Sequence, residues 1–191
     1  MPRVSPERLN SRRREILAGA RACFARHGYE GATVKRLEEE IGLSRGAIFH
    51  HFKDKDSLFL AVAEDDAIQM ADTVARHGLV QVMRDLVDDA DRPEITGWLG
   101  SQLEVSRRLR TDADFAKAWE DRKQAIATAT RDRLRRQRDA GNLRTDLPVE
   151  VLAEFLELAY DGLITHLAMG SPAADITAVL DMVETAVRRP A

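Results

Sequence analysis

The chain has 191 residues, 44% hydrophobic and 32% charged, which is enough apolar material for a core and too much for a disordered polymer. Aromatics make up 5%, and 11 Gly and 6 Pro leave long stretches rich in Ala, Leu, Arg, Glu and Asp, a balance that favours helices over a sandwich or barrel. The net charge of −3 argues against a nucleic-acid binder only when taken whole: residues 1–60 hold 12 basic against 8 acidic residues (+4), and the rest hold 17 against 24 (−7).

Ser11 is placed to cap a first helix, on which Ile16, Leu17, Ala20, Cys23 and Phe24 recur at helical spacing and which Gly28 stops. Cys23, the single cysteine, excludes an internal disulfide framework and reads as a small buried hydrophobe. Thr33 caps a second helix, Val34 to Ile41, closed by a left-handed Gly42, and Ser44 caps a short third helix to about Phe52. A polar turn, Lys53 to Asp56, leads into a long helix to about Arg76, then a helix near Leu79 to Asp88 and an acidic loop to Pro93. Longer periodic segments follow at about 95–110, 112–139, 148–169 and 173–188. The expected fold is all-α: nine helices in two domains, a three-helix head over residues 1–55 and a helical body over 56–191.

Residues 33–52 carry the sharpest signal. Two short helices about Gly42 form a helix-turn-helix, whose second helix can enter the major groove. Its spacing puts Leu43, Ala47, Ile48 and Phe52 inward, with His51 on the inner flank, and Arg45, Gly46, Phe49 and His50 outward. On double-stranded DNA, Arg45 can donate to guanine or phosphate, Phe49 can lie against a thymine methyl or sugar, and His50 can donate to phosphate. Gly46 permits close approach, the amides after Thr33 and Ser44 face phosphates, Lys55 can serve the backbone, and Arg12, Arg13 and Arg14 can form a basic arm. The bland reading is a helical protein–protein interaction module without DNA binding.

The run Gly28-Tyr29-Glu30-Gly31-Ala32-Thr33, then Ile41 to Phe52 (IGLSRGAIFHHF) and Lys55-Asp56-Ser57-Leu58, resembles the DNA-binding signature of the TetR family. The resemblance implies a helix-turn-helix head, a helical ligand-binding and dimerisation body, and functional roles for Thr33, Ser44, Arg45, Phe49, His50 and Lys55. Two positions depart from the signature: Phe49 stands where Tyr is usual, and Glu38 where a small Ala is usual. The stretches EGATVKRLEEE, SRGAIFHHF, LRTD and NLRTDLPVEVL are similar to the actinobacterial aconitase repressors within that family, which implies a citrate effector with a divalent metal (Mg) and an aconitase gene as target.

In the body, polar residues riding on apolar stripes are the effector candidates. Leu152, Phe155, Leu156, Ala159, Leu163 and Leu167 form one stripe with His166; Ile176, Leu180, Val183 and Val187 form another with Glu184. Phe115, Trp119, Ile126 and Leu134 share a side with Arg133, and Trp98, Leu99, Leu103 and Leu109 share one with Gln102 and Ser106. Arg133, Glu184, Gln102 and His166 are expected to converge on a cavity, where a carboxylate ligand on Arg133 and a metal on Glu184 would satisfy the charges; the plain reading is an Arg133–Glu184 ion pair. The last two helices can pair with a copy of themselves to make a homodimer.

Enzyme readings find no support, since no Walker or dinucleotide glycine motif and no Glu-x-x-His pair occurs. No cofactor is required on this reading. The charged start leads into no long apolar stretch, and Phe155 to Met169 is broken by Glu157, Asp161 and His166, so a cytoplasmic protein without a membrane partner is expected.

Overall fold

The computed structural model describes residues 6–172 and 174–189, and every element among them is α-helical apart from one isolated bridge, Leu143 to Arg188. Helix α1 (Pro6–Gly31) begins before Ser11, which therefore lies inside the helix and caps nothing. Arg12, Arg13 and Arg14 are accordingly helical rather than an arm: Arg12 pairs with Glu15 at 2.8 Å, Arg14 bonds the Asn10 carbonyl, and Arg13 lies 4.4 Å from the Phe52 ring centre. The predicted stop at Gly28 is a kink, with φ 69° and ψ 173°, after which one more turn reaches Gly31. The left-handed backbone at position 28 calls for glycine, and a Cβ there would stand 2.6 Å from Glu104 Oε1, so that side chain would have to swing aside.

Helices α2 (Val34–Ile41) and α3 (Arg45–Phe49) have the expected caps, Thr33 accepting from Arg36 N and Ser44 from Ala47 N, both at 3.4 Å, with Gly42 left-handed at φ 73°. Helix α4 (Lys55–His77) is capped by Asp54, which accepts from Ser57 N at 2.7 Å. Then come α5 (Leu79–Asp88), α6 (Pro93–Thr111), α7 (Ala113–Asp139), α8 (Val149–Ala168) and α9 (Ile176–Val187). Residue 173, the expected start of the last helix, lies outside the described residues.

Two apolar cores result. One gathers Ile16, Cys23, Phe24, Leu37, Ile48 and Phe52 from the head and continues through Leu58 and Phe59 of α4 into Val105, Phe115 and Trp119. The other packs Leu79, Met83, Leu99, Leu134, Leu152, Leu156, Leu163 and Leu180. Each such buried side chain contributes roughly 1.5–3 kcal/mol by leaving water. Helix α7 serves both cores, since Phe115 and Trp119 stack under Phe59 while Ile126 and Leu134 enter the second. Leu103 and Phe155, expected on buried stripes, are each 39% exposed: their helices bury Leu99 and Val105, and Leu152 and Leu156, instead.

The head is seated firmly on the body. Helix α1 crosses α6 so closely that a Cβ on Gly97 would overlap the Ala25 carbonyl oxygen at 1.3 Å. Glu104 accepts from Glu30 N at 3.0 Å, beside the kink. Arg108 of α6 donates to both oxygens of Asp56, to the Tyr29 hydroxyl and to Asp112, while the Tyr29 hydroxyl donates to Asp56. Hydrogen bonds from Arg108 outweigh burial and hold the Asp56 carboxyl down at about 2; burial and the Asp56 carboxylate push the Tyr29 phenol up.

Candidate nucleic-acid interface and effector cavity

Helix α3 has five residues, so it fully buries one side chain, Ile48, against Leu37 and Ile41 of α2. Thr33, Ser44, Arg45, Gly46 and His50 are exposed. Two expectations about this face change. Ala47 is exposed rather than inward, and Phe49 is half-buried against the head core rather than standing free, because so short a helix turns its one apolar edge about Ile48. The exposed surface is therefore Arg45, Gly46, Ala47 and His50, with the Phe49 ring at its border. Such a surface offers a bidentate donor, a gap for backbone and a methyl, which are the elements of major-groove readout.

Lys55 opens α4, the position the sequence reading gives it. Its ammonium donates to the Tyr29 carbonyl at 3.0 Å and sits 4.4 Å from the centre of the Tyr29 ring, so it ties α4 to the kink of α1 and is half-buried. The acidic residues of the head are also occupied: Glu40 pairs with Arg26 at 2.6 Å, Glu39 with Lys35 at 3.8 Å, and Glu38 accepts from the Arg45 backbone N–H at 2.6 Å.

In the body, Arg133 and Glu184 line one cavity of about 500 Å³, enclosed by the end of α4, α7, the loop after it and the C-terminal segment. Gln102 and His166 do not reach it. Gln102 lies on an apolar cavity of about 410 Å³ between α1, α4 and α6, and His166 Nε2 sits 3.0 Å from the Pro172 carbonyl beyond α8. Spacing on separate helices placed these polar groups on the right faces but at different heights along the bundle.

The expected Arg133–Glu184 ion pair does not form. Arg133 Nη1 donates to the Ala75 and Arg76 carbonyls at 3.2 and 2.6 Å, which are last-turn carbonyls of α4, and Arg136 donates to Ala75 as well. Burial, with Arg136 nearby, lowers the affinity of Arg133 for its proton. Glu184 accepts instead from Arg84 at 2.9 Å and from Arg188; burial would raise its carboxyl, but those two hydrogen bonds bring it below the usual range. Arg188, Arg189, Asn142, Gln137, Thr130 and His77 complete the polar lining. Sequence reading missed these, although the Arg188-Arg189 pair one turn after Glu184 was a visible signal. Among the described residues Glu184 is the one carboxylate of this lining, so the cavity is cationic and suited to an anion.

No group of three or more His, Cys, Asp or Glu among the described residues is disposed to hold a metal. The donor set fits only a cation that arrives chelated: magnesium keeps most of its ligands from water and a bound anion, and Glu184 could supply a single oxygen.

The family model of bacterial regulatory proteins, tetR family, matches residues 16–62. The chain is 51% identical over 189 residues to an HTH-type transcriptional repressor of Mycobacterium tuberculosis, covering 99% of this chain and all of the relative. It is 55% identical over 182 residues to the HTH-type transcriptional repressor AcnR of Corynebacterium efficiens, covering 95% of each. Among solved structures, a TetR transcription regulator from Haloarcula marismortui superposes with a TM-score of 0.75 at 18% identity, covering 94% of this chain and all of that one. These relatives are regulators, not enzymes, and among the described residues no helix is long and apolar enough to cross a membrane. The chain belongs to the TetR family and is a DNA-binding transcriptional repressor of the AcnR type.

Proposed function

We propose that this repressor acts as a homodimer, reads a two-fold operator upstream of an aconitase gene through Arg45, Gly46, Phe49 and His50, with Thr33 and Ser44 at the phosphates, and is released by citrate carried as its magnesium chelate. The observation that carries the effector reading is the surroundings of Arg133. Its guanidinium faces a cationic cavity, has carbonyls and, among the described residues, no carboxylate for partners, and a tricarboxylate supplies the missing charge. Arg133, Arg188 and Arg189 would hold the ligand's carboxylates, and Glu184 the chelated cation, whose role is to neutralise the remaining charge.

Arg133 also connects the cavity to the head. It holds the last carbonyls of α4, whose other end carries Leu58, Phe59 and Val62 in the head core. A carboxylate that recruits the guanidinium competes with those carbonyls, which biases the end of α4 and with it the head. Lys55 serves the same assembly by fixing the start of α4 to α1, and its ammonium keeps further donors for the DNA backbone.

Exposure supports a dimer surface on α8 and α9. Helix α8 buries Leu152, Leu156 and Leu163 on one side and leaves Val151, Phe155 and Leu158 in water on another, beside exposed Val179 and Met182 of α9. An apolar patch of this kind on a soluble helical body fits a self-complementary two-fold contact, which would set the spacing of the heads.

Two measurements test the reading. Arg45→Ala is expected to abolish retardation of the aconitase upstream fragment in a gel shift while melting temperature and dimer mass stay unchanged; unchanged retardation removes Arg45 from recognition. Citrate with magnesium is expected to raise the melting temperature of the wild type and not of Arg133→Ala, through preferential binding to the folded state. An equal rise in both proteins places the ligand elsewhere.

A further inference from the structure

Helix α2 closes with Glu38-Glu39-Glu40, three carboxylates in a head whose partner is a polyanion. Glu39 and Glu40 are neutralised by Lys35 and Arg26. Glu38 is handled differently: its Oε1 accepts the Arg45 backbone N–H at 2.6 Å, and no cation pairs with it among the described residues. The bond spans seven residues and bridges the turn from α2 to α3, so it fixes α3 relative to α2 at the residue that opens the reading face.

Two physical consequences follow. The tie holds the Gly42–Ser44 turn and the pose of Arg45. The charge, meanwhile, stands beside Arg45 where a duplex backbone must come close, so it weakens attraction to any phosphate whatever the sequence. A penalty common to all duplexes leaves base-edge contacts to decide which one is bound. We propose that Glu38 is a positioning residue that sets the DNA selectivity of this head: it orients α3 through the Arg45 amide and suppresses phosphate-driven binding to non-operator duplex through its charge.

The test uses full-length wild type, Glu38→Gln and Glu38→Ala. A preferred duplex is selected from a randomised library with the wild type, and affinities for it and for its scrambled sequence are measured across a salt series. Glu38→Gln keeps the acceptor and loses the charge, so it is expected to bind the preferred duplex within about twofold of wild type and the scrambled one about fivefold more tightly, with a steeper salt dependence. Glu38→Ala loses both, and is expected also to lose about tenfold on the preferred duplex, the scale of one broken charge-assisted hydrogen bond. If Glu38→Ala melts too early to assay, Glu38→Gln alone decides the matter. A preferred-to-scrambled ratio unchanged in Glu38→Gln, whatever its melting temperature does, overturns the proposal by reducing Glu38 to a cap. A change in the preferred base at one position with unaltered scrambled affinity also overturns it, since Glu38 would then contact a base directly.

Discussion

Two arginines of the body, Arg108 on α6 and Arg133 on α7, meet opposite surroundings. Arg108 lies at the seam with the head, where Asp56, Asp112 and the Tyr29 hydroxyl take its donors and the Phe115 ring lies 4.4 Å from its guanidinium carbon. Arg133 lies at the far end of α4, where its partners are helix-end carbonyls and its nearest charged influence is another arginine. Hydrogen bonds that it donates to the Asp56 and Asp112 carboxylates push the Arg108 guanidinium above its ordinary range, whereas burial pushes Arg133 below it. A cation whose charge is matched by the protein holds the structure together; one left with neutral acceptors beside a cavity is where an anion from outside gains most.

That contrast can be broken by substitution. The largest effect is expected from Arg108→Ala, which leaves the Asp56 carboxylate with the Tyr29 hydroxyl but without its guanidinium at a half-buried seam; a loss of about 2 kcal/mol in urea unfolding is expected. A loss under about 0.5 kcal/mol would mean that the seam is carried by its apolar contacts alone.

Acid sharpens the same comparison. Asp56 titrates at about 2 in the folded protein against an ordinary 3.8, so its contribution is complete above pH ~4 and disappears as the pH falls towards 2. Wild type is thus expected to lose stability over that window more steeply than Arg108→Ala, in which the Asp56 value returns towards normal; parallel acid limbs in thermal melts would contradict the assignment. The smallest effect is expected at the other arginine. Arg133→Ala gives up two bonds to carbonyls and also removes a desolvated charge, so its stability should stay within about 1 kcal/mol of wild type. A larger loss would make Arg133 a structural residue like Arg108.

Much of this was legible locally. Thr33, Gly42 and Ser44 announce the ends of α2 and α3 because a cap is a matter between near neighbours, and α5 falls on Leu79–Asp88 as its apolar spacing requires. Arg133 and Glu184 stood out as charges on apolar faces, and both line the cationic cavity. What could not be read depends on which helices meet. The Tyr29–Asp56–Arg108 seam joins residues far apart in the chain, and nothing local marks Lys55 for the Tyr29 carbonyl. Gln102 and His166 show the same limit, because face is set by periodicity but height along a bundle is set by tertiary packing. Glu38 was visible as a departure from the family signature, but its bond to Arg45 needed the turn's geometry.

The central claim is that the cavity around Arg133 and the operator-reading head exclude each other's ligands. Titrating citrate with magnesium into the wild-type repressor bound to the aconitase upstream duplex, followed by fluorescence anisotropy, tests it directly. The account predicts progressive release for wild type and none for Arg133→Ala at the same concentrations, with both proteins binding the duplex equally well before ligand is added. Release that is equal in the two proteins, or absent in both, contradicts it.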